Sequence, residues 1–423
     1  ETCHYMQSKS GIDIISVFLF VAIAALGITS VYSATYEPGA ESLFAGRSGK
    51  QLMWLGISVV VGVVIFLLNA NFFQFFSWYI YGACMLLLVL VLVIGADISG
   101  ARSWIKLGPV SIQPSEFAKY GTTFAVASIL STIGFSWSKL QDLLKIGVVI
   151  LMPMGLILIQ GDAGSALVFF SFFLVFYREG MTSVALISGL TAIAIFVFTL
   201  VFGSWYFSLA VVGIFLVFYA FTYSEKKLLL PSISIVALTI LFSLSVQFLF
   251  DNVLQEHQQK RIQVTLNLIE DNRGAGYNVN QSKIAIGSGG MYGKGFLNGA
   301  HTKGNFIPEQ ETDFIFCTIG EEGGWAVSVG ALVLFILFIL RLYHLASRAK
   351  KKFKRIFIFS LASILFFHFL VNIGMTIGLM PVIGIPLPLV SYGGSSFLGF
   401  CIFIFTALKL DATRDEDLIS TYS

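Results

Sequence analysis

Residues 326–379 read AVSVGALVLFILFILRLYHLASRAKKKFKRIFIFSLASILFFHFLVNIGMTIGL. Two apolar runs flank a short segment that carries Arg341, Arg348, Lys350, Lys351, Lys352, Lys354 and Arg355. Each run is long enough for the ~20 helical residues that cross the hydrocarbon core of a bilayer. The cations between them mark a short cytoplasmic loop, because Lys and Arg accumulate on the cytoplasmic side of short connections. A helix in, a basic turn and a helix out is the reading that fixes the fold.

The same alternation runs in both directions. Apolar runs separated by polar punctuation predict about twelve spans near 12–33, 51–68, 74–95, 115–133, 144–159, 164–178, 182–202, 205–222, 229–250, 312–341, 356–379 and 389–409. The pair at 144–178 is short and interrupted by Gln160-Gly161-Asp162. The composition agrees with membrane burial: 57% of residues are hydrophobic and 12% charged, with a mean hydropathy of +0.86. A soluble domain carries about 25% charged residues. Only helices or closed barrels satisfy their backbone polar groups inside a bilayer, and continuous runs rather than alternating ones select helices. The expected class is an all-α polytopic membrane protein.

The net charge of +3 is too small to identify a partner. Cys84, Cys317 and Cys401 lie inside apolar runs and are expected to pack between helices, with no disulfide or metal framework. The first apolar run is too long for the core of a cleavable signal, and residues 1–5 read as a remnant ahead of Met6. Counting back from 341–355 places Lys226-Lys227 and Lys139/Lys145 on the same side, with residues 1–11 and the 410–423 tail. The long polar segment 251–311 then lies outside, and structureless loops of that length are usually functional. The 12–409 region is expected to form a single transmembrane domain.

Several segments carry chemistry-bearing residues. In the long loop, Ile269-Glu270-Asp271-Asn272-Arg273-Gly274-Ala275-Gly276-Tyr277 precedes Gln281-Ser282-Lys283 and a run ending Gly287-Ser288-Gly289-Gly290, then Gly293-Lys294-Gly295. Such glycines can bring backbone N–H groups close to an anion; a solvated turn is the plainer alternative. The run is not a nucleotide P-loop, since Gly295 stands where Ser or Thr is required. In the 96–114 connection, Arg102 and Lys106 flank Trp104 and could hold phosphate oxygens, or could snorkel to lipid headgroups. Pro114-Ser115-Glu116 reads as a helix start, and Glu116 and Lys119 share a helical face and can pair. Glu321-Glu322-Gly323-Gly324 puts two carboxylates inside a span, at about 2.5–3.5 kcal/mol each, so they should face protein. Met380 to Ser396 holds three prolines and repeated glycines, a helix break that must line a cavity or be buried.

Taken together, GARSWIKLGPVSIQPSEFAK, GAGYNVNQSKIAIGSGGMYGKG, FIPEQETDFIFCTIGEEGG and MPVIGIPLPLVSYGGSS resemble the SEDS family (shape, elongation, division and sporulation). They recur in family order over most of the chain, and QSKIAIGSGG with TDFIF is closer to the elongation branch than to the division branch. The resemblance implies a peptidoglycan glycosyltransferase that polymerises lipid II, an undecaprenyl-diphosphate-linked disaccharide peptide, with a class B penicillin-binding protein as partner. It implies a bacterial inner-membrane location with the active site on the extracytoplasmic side, and places the family's essential acid on Asp271. Asn272 and Arg273 depart from the family's Pro and Leu, and Ser103 stands where many relatives have Arg. Family members usually have ten spans, so 182–222 reads as an added pair, expected to be peripheral.

That reaction needs a base for the acceptor hydroxyl and positive charge for the departing diphosphate. Asp271 is the expected base. Arg102, Lys106, Glu116, Lys119, Lys283 and Ser391 are the expected substrate-binding residues. A divalent cation, Mg or Mn, could share the electrostatic role, although no ligand cluster in the sequence specifies one. The rival readings are a lipid flippase or transporter, which many spans, broken helices and intramembrane acids also fit, and a non-catalytic scaffold. Neither would make glycan from lipid II.

Overall fold

A computed structural model describes residues 11–36, 46–98, 101–108, 110–222, 226–252, 256–266, 268–269, 275–304 and 306–414. The chain divides into two compact units, one formed by Glu1–Gly180 with Asn278–Ser423 and the other by Met181–Tyr277.

The first unit begins with α1 (Ile14–Ala34), α2 (Arg47–Leu67), α3 (Ala70–Phe75) and α4 (Ser77–Ile94). A small antiparallel sheet follows, β1 (Ala96–Ile98), β2 (Ala101–Leu107) and β3 (Val110–Ile112), in the order β1-β2-β3. Then come α5 (Pro114–Ser131), α6 (Leu140–Ile159) and α7 (Ala163–Leu167), which continues through a 3-10 turn into α8 (Phe172–Arg178). The second unit holds α9 (Ser183–Phe202), α10 (Ser204–Thr222), α11 (Lys226–Asn252) and α12 (Glu256–Thr265). The chain re-enters the first unit along α13 (Ala275–Ser288) and finishes with α14 (Ala300–Lys303), α15 (Ile315–Arg348), α16 (Lys352–Thr376) and α17 (Gly394–Ala412).

Each predicted span falls on a helix, and among the described residues nine helices are long and apolar enough to cross a bilayer. Helix α5 is not one of the nine, yet 14 of its 18 residues are buried, so neighbouring helices rather than lipid meet its polar side chains. Around it, Tyr120 and Phe124 of α5 pack on Phe357 of α16 and Phe403 of α17, with ring centroids 4.6–6.0 Å apart. In the second unit, Thr199 of α9 and Ser243 of α11 share a buried hydroxyl–hydroxyl bond of 2.9 Å. This pairing satisfies two polar groups that lipid could not.

The basic segment that decided the fold is a tight turn. Helix α15 ends at Arg348 and α16 starts at Lys352. Arg341 and Arg348 both reach Asp13, the side-chain cap of α1, and Arg348 also binds Asp411 near the end of α17. Burial would raise the pKa of Asp13, but hydrogen bonds from Arg341 and Ser16 hold it well below the usual carboxylate range. Cys84, Cys317 and Cys401 are free and buried, as expected of interhelical packing.

Two expectations need correcting. The 251–311 segment is not structureless: α12, α13 and α14 occupy much of it. Helix α13 buries Ala285 against Ile307, Phe314, Cys317 and Met375, which gives its apolar residues a core to fold onto. The 96–114 segment joins α4 to α5 as expected, and its strands β1–β3 lie between Ala96 and Ile112. The span expected at 389–409 starts later, at Gly394, because Leu389 has a positive φ of 65° and residues 380–393 do not form helix.

Candidate active site

Residues 378–393 fold back as irregular backbone between α16 and α17, and the unit is built to hold them. Asn372 on α16 donates to the carbonyls of Asp313 and Ile385 (2.9 and 2.8 Å). Ser391 Oγ accepts the backbone N–H of Leu387 at 2.8 Å, and the N–H of Tyr392 donates to Glu311 O at 2.8 Å. Glycine is required at Gly27, where an added Cβ would lie 2.3 Å from Leu389 O. The second half of the helix break inferred from the prolines, Ile385 and residues 387–391, is therefore buried, and protein groups pair with its Ile385 carbonyl and with the Leu387 and Ser391 N–H groups.

Directly beside this segment sits a buried polar chain. Lys119 Nζ donates to Glu116 Oε1 at 2.9 Å, with both side chains at most 3% exposed. Ser396 Oγ donates to Glu116 Oε2 at 3.2 Å. On its other side Lys119 Nζ lies 3.0 Å from His368 Nε2, while His368 Nδ1 lies 3.1 Å from Pro386 O. A carbonyl can only accept, so Nδ1 carries the proton and Nε2 offers its lone pair to the ammonium. The cleft beside Glu116, Lys119 and Phe400 has no space for a water molecule. As it stands this pair holds helices α5, α16 and α17 together and does not touch solvent.

The other expected residues are placed differently. Arg102, Trp104 and Lys106 alternate along β2 and so share one face of the strand. Arg102 and Lys106 are exposed on that face, whereas Ser103 and Ile105 on the opposite face are buried. The strand is fixed at its start by Arg102 N–H donating to Gln160 O at 2.8 Å. Lys283 on α13 is exposed, with its side chain laid against Gly378. Asp271 and Glu270 lie outside the described residues.

The glycine-rich turn after α13 is not an open anion cradle. Its N–H groups at Gly293, Lys294 and Gly295 are spent on the carbonyls of Gly289, Glu321 and Glu322. It threads into a break in α15 at Gly324, where φ is 65°. Glu321, fully buried, accepts from Lys294 Nζ, His301 N, Thr302 N and Thr302 Oγ1 at 2.7–2.9 Å. Glu322 accepts from Ser33 Oγ at 2.6 Å. Both intramembrane acids thus face protein donors, as their cost in lipid required. Among the described residues no three His, Cys, Asp or Glu side chains converge on a point where they could hold a metal ion.

Sequence reasoning passed over His368, Asn372 and Ser396. A signal was there: His368 and Asn372 are four apart in an otherwise apolar run, on one helical face, and polar side chains at that depth need partners.

The model of the FtsW/RodA/SpoVE cell cycle protein family matches residues 12–210 and 191–415. The chain belongs to this family. Similar members include peptidoglycan glycosyltransferase RodA of Treponema pallidum, 32% identical over 92% of this chain and 95% of that protein. Peptidoglycan glycosyltransferase MrdB of Escherichia coli K12 is 32% identical over 87% of this chain and 86% of its own length. Among solved structures, a chain of a peptidoglycan synthase complex that coordinates polymerization and crosslinking superposes with a TM-score of 0.71 at 28% identity, covering 96% of this chain and 98% of its own. RodA of Thermus thermophilus superposes at 0.61 with 26% identity and the same coverage. The fold expected from the FtsW/RodA/SpoVE resemblance, a polytopic all-α membrane protein, is the one observed.

Proposed function

We propose that this protein is a peptidoglycan glycosyltransferase that polymerises lipid II into glycan strands during cell elongation. It would act on the extracytoplasmic side of the bacterial inner membrane, beside a class B penicillin-binding protein. The observation that carries the reading is the match, over most of both chains, to RodA and MrdB, both named peptidoglycan glycosyltransferases, joined to a fold shared with a synthase-complex subunit. In the reaction, the acceptor sugar hydroxyl attacks the donor's anomeric carbon. A C–O bond forms there as the bond to the diphosphate breaks. The hydroxyl proton passes to the Asp271 carboxylate, and the diphosphate leaves with the bonding pair. The test is whether purified protein turns labelled lipid II into glycan.

Arg102 and Lys106 are the cations proposed for the diphosphate, because they stand exposed on one face of a braced strand next to Trp104. Losing a hydrogen bond to a charged group costs about 1.5–3 kcal/mol. Arg102→Ala is therefore expected to lower kcat/KM by roughly 10- to 100-fold with normal expression. Arg102→Lys should rescue poorly, since an ammonium cannot reproduce a two-pronged contact. Wild-type rates in both Arg102→Ala and Lys106→Ala would leave these side chains only snorkelling to headgroups.

A further inference from the structure

Helix α16 grips the irregular 378–393 segment at two consecutive carbonyls. Asn372 donates to Ile385 O, and one turn earlier His368 Nδ1 lies 3.1 Å from Pro386 O. The two side chains differ in what else they hold. Asn372 spends its second amide hydrogen on Asp313 O, a backbone group. His368 turns its other nitrogen, Nε2, to the ammonium of Lys119 at 3.0 Å. A single ring thus joins α5 to the 378–393 segment.

The surroundings of that ring leave it little freedom. His368 and Lys119 are both almost fully buried, and the cleft beside Lys119 and Phe400 has no room for water. The ammonium is shared between Glu116 Oε1, His368 Nε2 and the Phe400 ring, whose centroid is 5.3 Å away. The same Phe400 ring meets His368 edge-on at 5.1 Å. Among the described residues, the ionisable groups that face His368 are Lys119 and, behind it, Glu116, both on α5. Helix α17 presents the Phe400 ring, and the 378–393 segment presents a carbonyl. With the ring neutral, the charges of Glu116 and Lys119 cancel. A proton on Nε2 would take the lone pair that Lys119 uses and set a second positive charge 3.0 Å from the first. Without water to screen it, that repulsion is strong, and the contact must open.

We infer that His368 is a positioning residue, a proton-sensitive latch that fixes the Lys119 ammonium and the 378–393 segment relative to each other. Protonation of the ring releases both. The part this latch plays in polymerisation rests on the glycosyltransferase reading, under which Lys119 and Ser391 belong to the substrate site. The bond exists while the ring is neutral, so its contribution to rate and stability is lost as pH falls. An unperturbed His titrates near 6.5, where small changes of pH act. A histidine that only filled space would behave otherwise, since its replacement would change stability without changing the pH profile.

The experiment follows thermal unfolding and glycan formation from labelled lipid II by the full chain in detergent, from about pH 5.5 to about pH 8.5, across the ordinary His range. It compares the wild type with His368→Gln, which keeps a donor and an acceptor but does not titrate, and His368→Leu, which keeps neither. At about pH 8, His368→Leu should lower kcat by roughly tenfold, the worth of one hydrogen bond to a charged group, and His368→Gln should recover to within about threefold of the wild type. Below about pH 6.5 the wild type should lose a further factor of roughly ten relative to His368→Gln. Its melting temperature should fall by about 2–4 °C more. Any acid limb from Asp271 is common to both proteins. In the Glu116→Gln/Lys119→Met background, which lacks the ammonium, adding His368→Gln should leave the melting profile unchanged. Parallel profiles for the wild type and His368→Gln would overturn the inference and leave His368 a packing residue. So would a pH difference that persists without Lys119, or a His368→Gln protein no better folded or more active than His368→Leu. Wild-type protein that makes no glycan at any pH would refute the glycosyltransferase reading, while the unfolding profiles, which need no turnover, would still decide the latch.

Discussion

Asp271→Asn is expected to lower glycan polymerisation by about 10²–10⁴-fold, the usual contribution of a general base, with expression and partner binding unchanged. The change keeps the side chain's size and most of its hydrogen-bonding capacity and removes only the negative charge. A role in turn geometry would survive that exchange; proton abstraction would not. An unperturbed Asp titrates near 3.9 and is a weak base at neutral pH, so partial desolvation in the substrate complex would strengthen it. His257 and His301 lie well away from Asp271 in the chain, and His301 gives its backbone N–H to Glu321. Glu270→Gln is the control and should be much milder. Rates of lipid II consumption by the two variants decide the assignment, and near wild-type rate in Asp271→Asn would refute it.

The second large effect concerns stability. Lys119→Met should destabilise the protein by about 3–5 kcal/mol, because it leaves the Glu116 carboxylate buried without its cation. Ser396 remains as a donor, but one hydroxyl cannot replace a charge. The double variant Glu116→Gln/Lys119→Met should recover most of the loss, since removing both charges also removes their desolvation cost. Thermal unfolding of the wild type, the two single variants and the double variant in one detergent gives the coupling directly. If Lys119→Met unfolds like the wild type yet loses polymerase activity, then Lys119 meets substrate in a state more open than this one.

What the sequence disclosed and what it hid follow from the range of the interactions. The spans were legible because a bilayer imposes length and apolarity on each helix separately. The start of α5 at Pro114 and the Glu116–Lys119 pair were legible because both are local, within one helical turn. The partners of that pair were not. His368 and Ser396 come from α16 and α17, more than two hundred residues away, and only packing brings them to Lys119 and Glu116. The glycines of 287–295 misled for a related reason. Locally they describe a flexible loop that could offer N–H groups to an anion, but the carbonyls of Gly289, and of Glu321 and Glu322 just ahead of the break in α15, claim the Gly293, Lys294 and Gly295 donors. Residues 96–112 were read as a connection because their strands are three to seven residues long, too short for alternation to stand out. The role of Ser391 was half legible: the break around it was expected, but its hydroxyl is spent on Leu387 N–H, which makes it a brace of the 378–393 segment in this state.

The proposed activity meets its most direct test in a polymerisation assay. Purified full chain, alone and with a class B penicillin-binding protein whose transpeptidase is blocked, would be given labelled lipid II in detergent or liposomes. The products would be resolved by length. The glycosyltransferase reading predicts a ladder of glycan strands that disappears with Asp271→Asn. Lipid II left unpolymerised by a well-folded wild-type protein with its partner, above all if the lipid crosses the liposome bilayer intact, would contradict it.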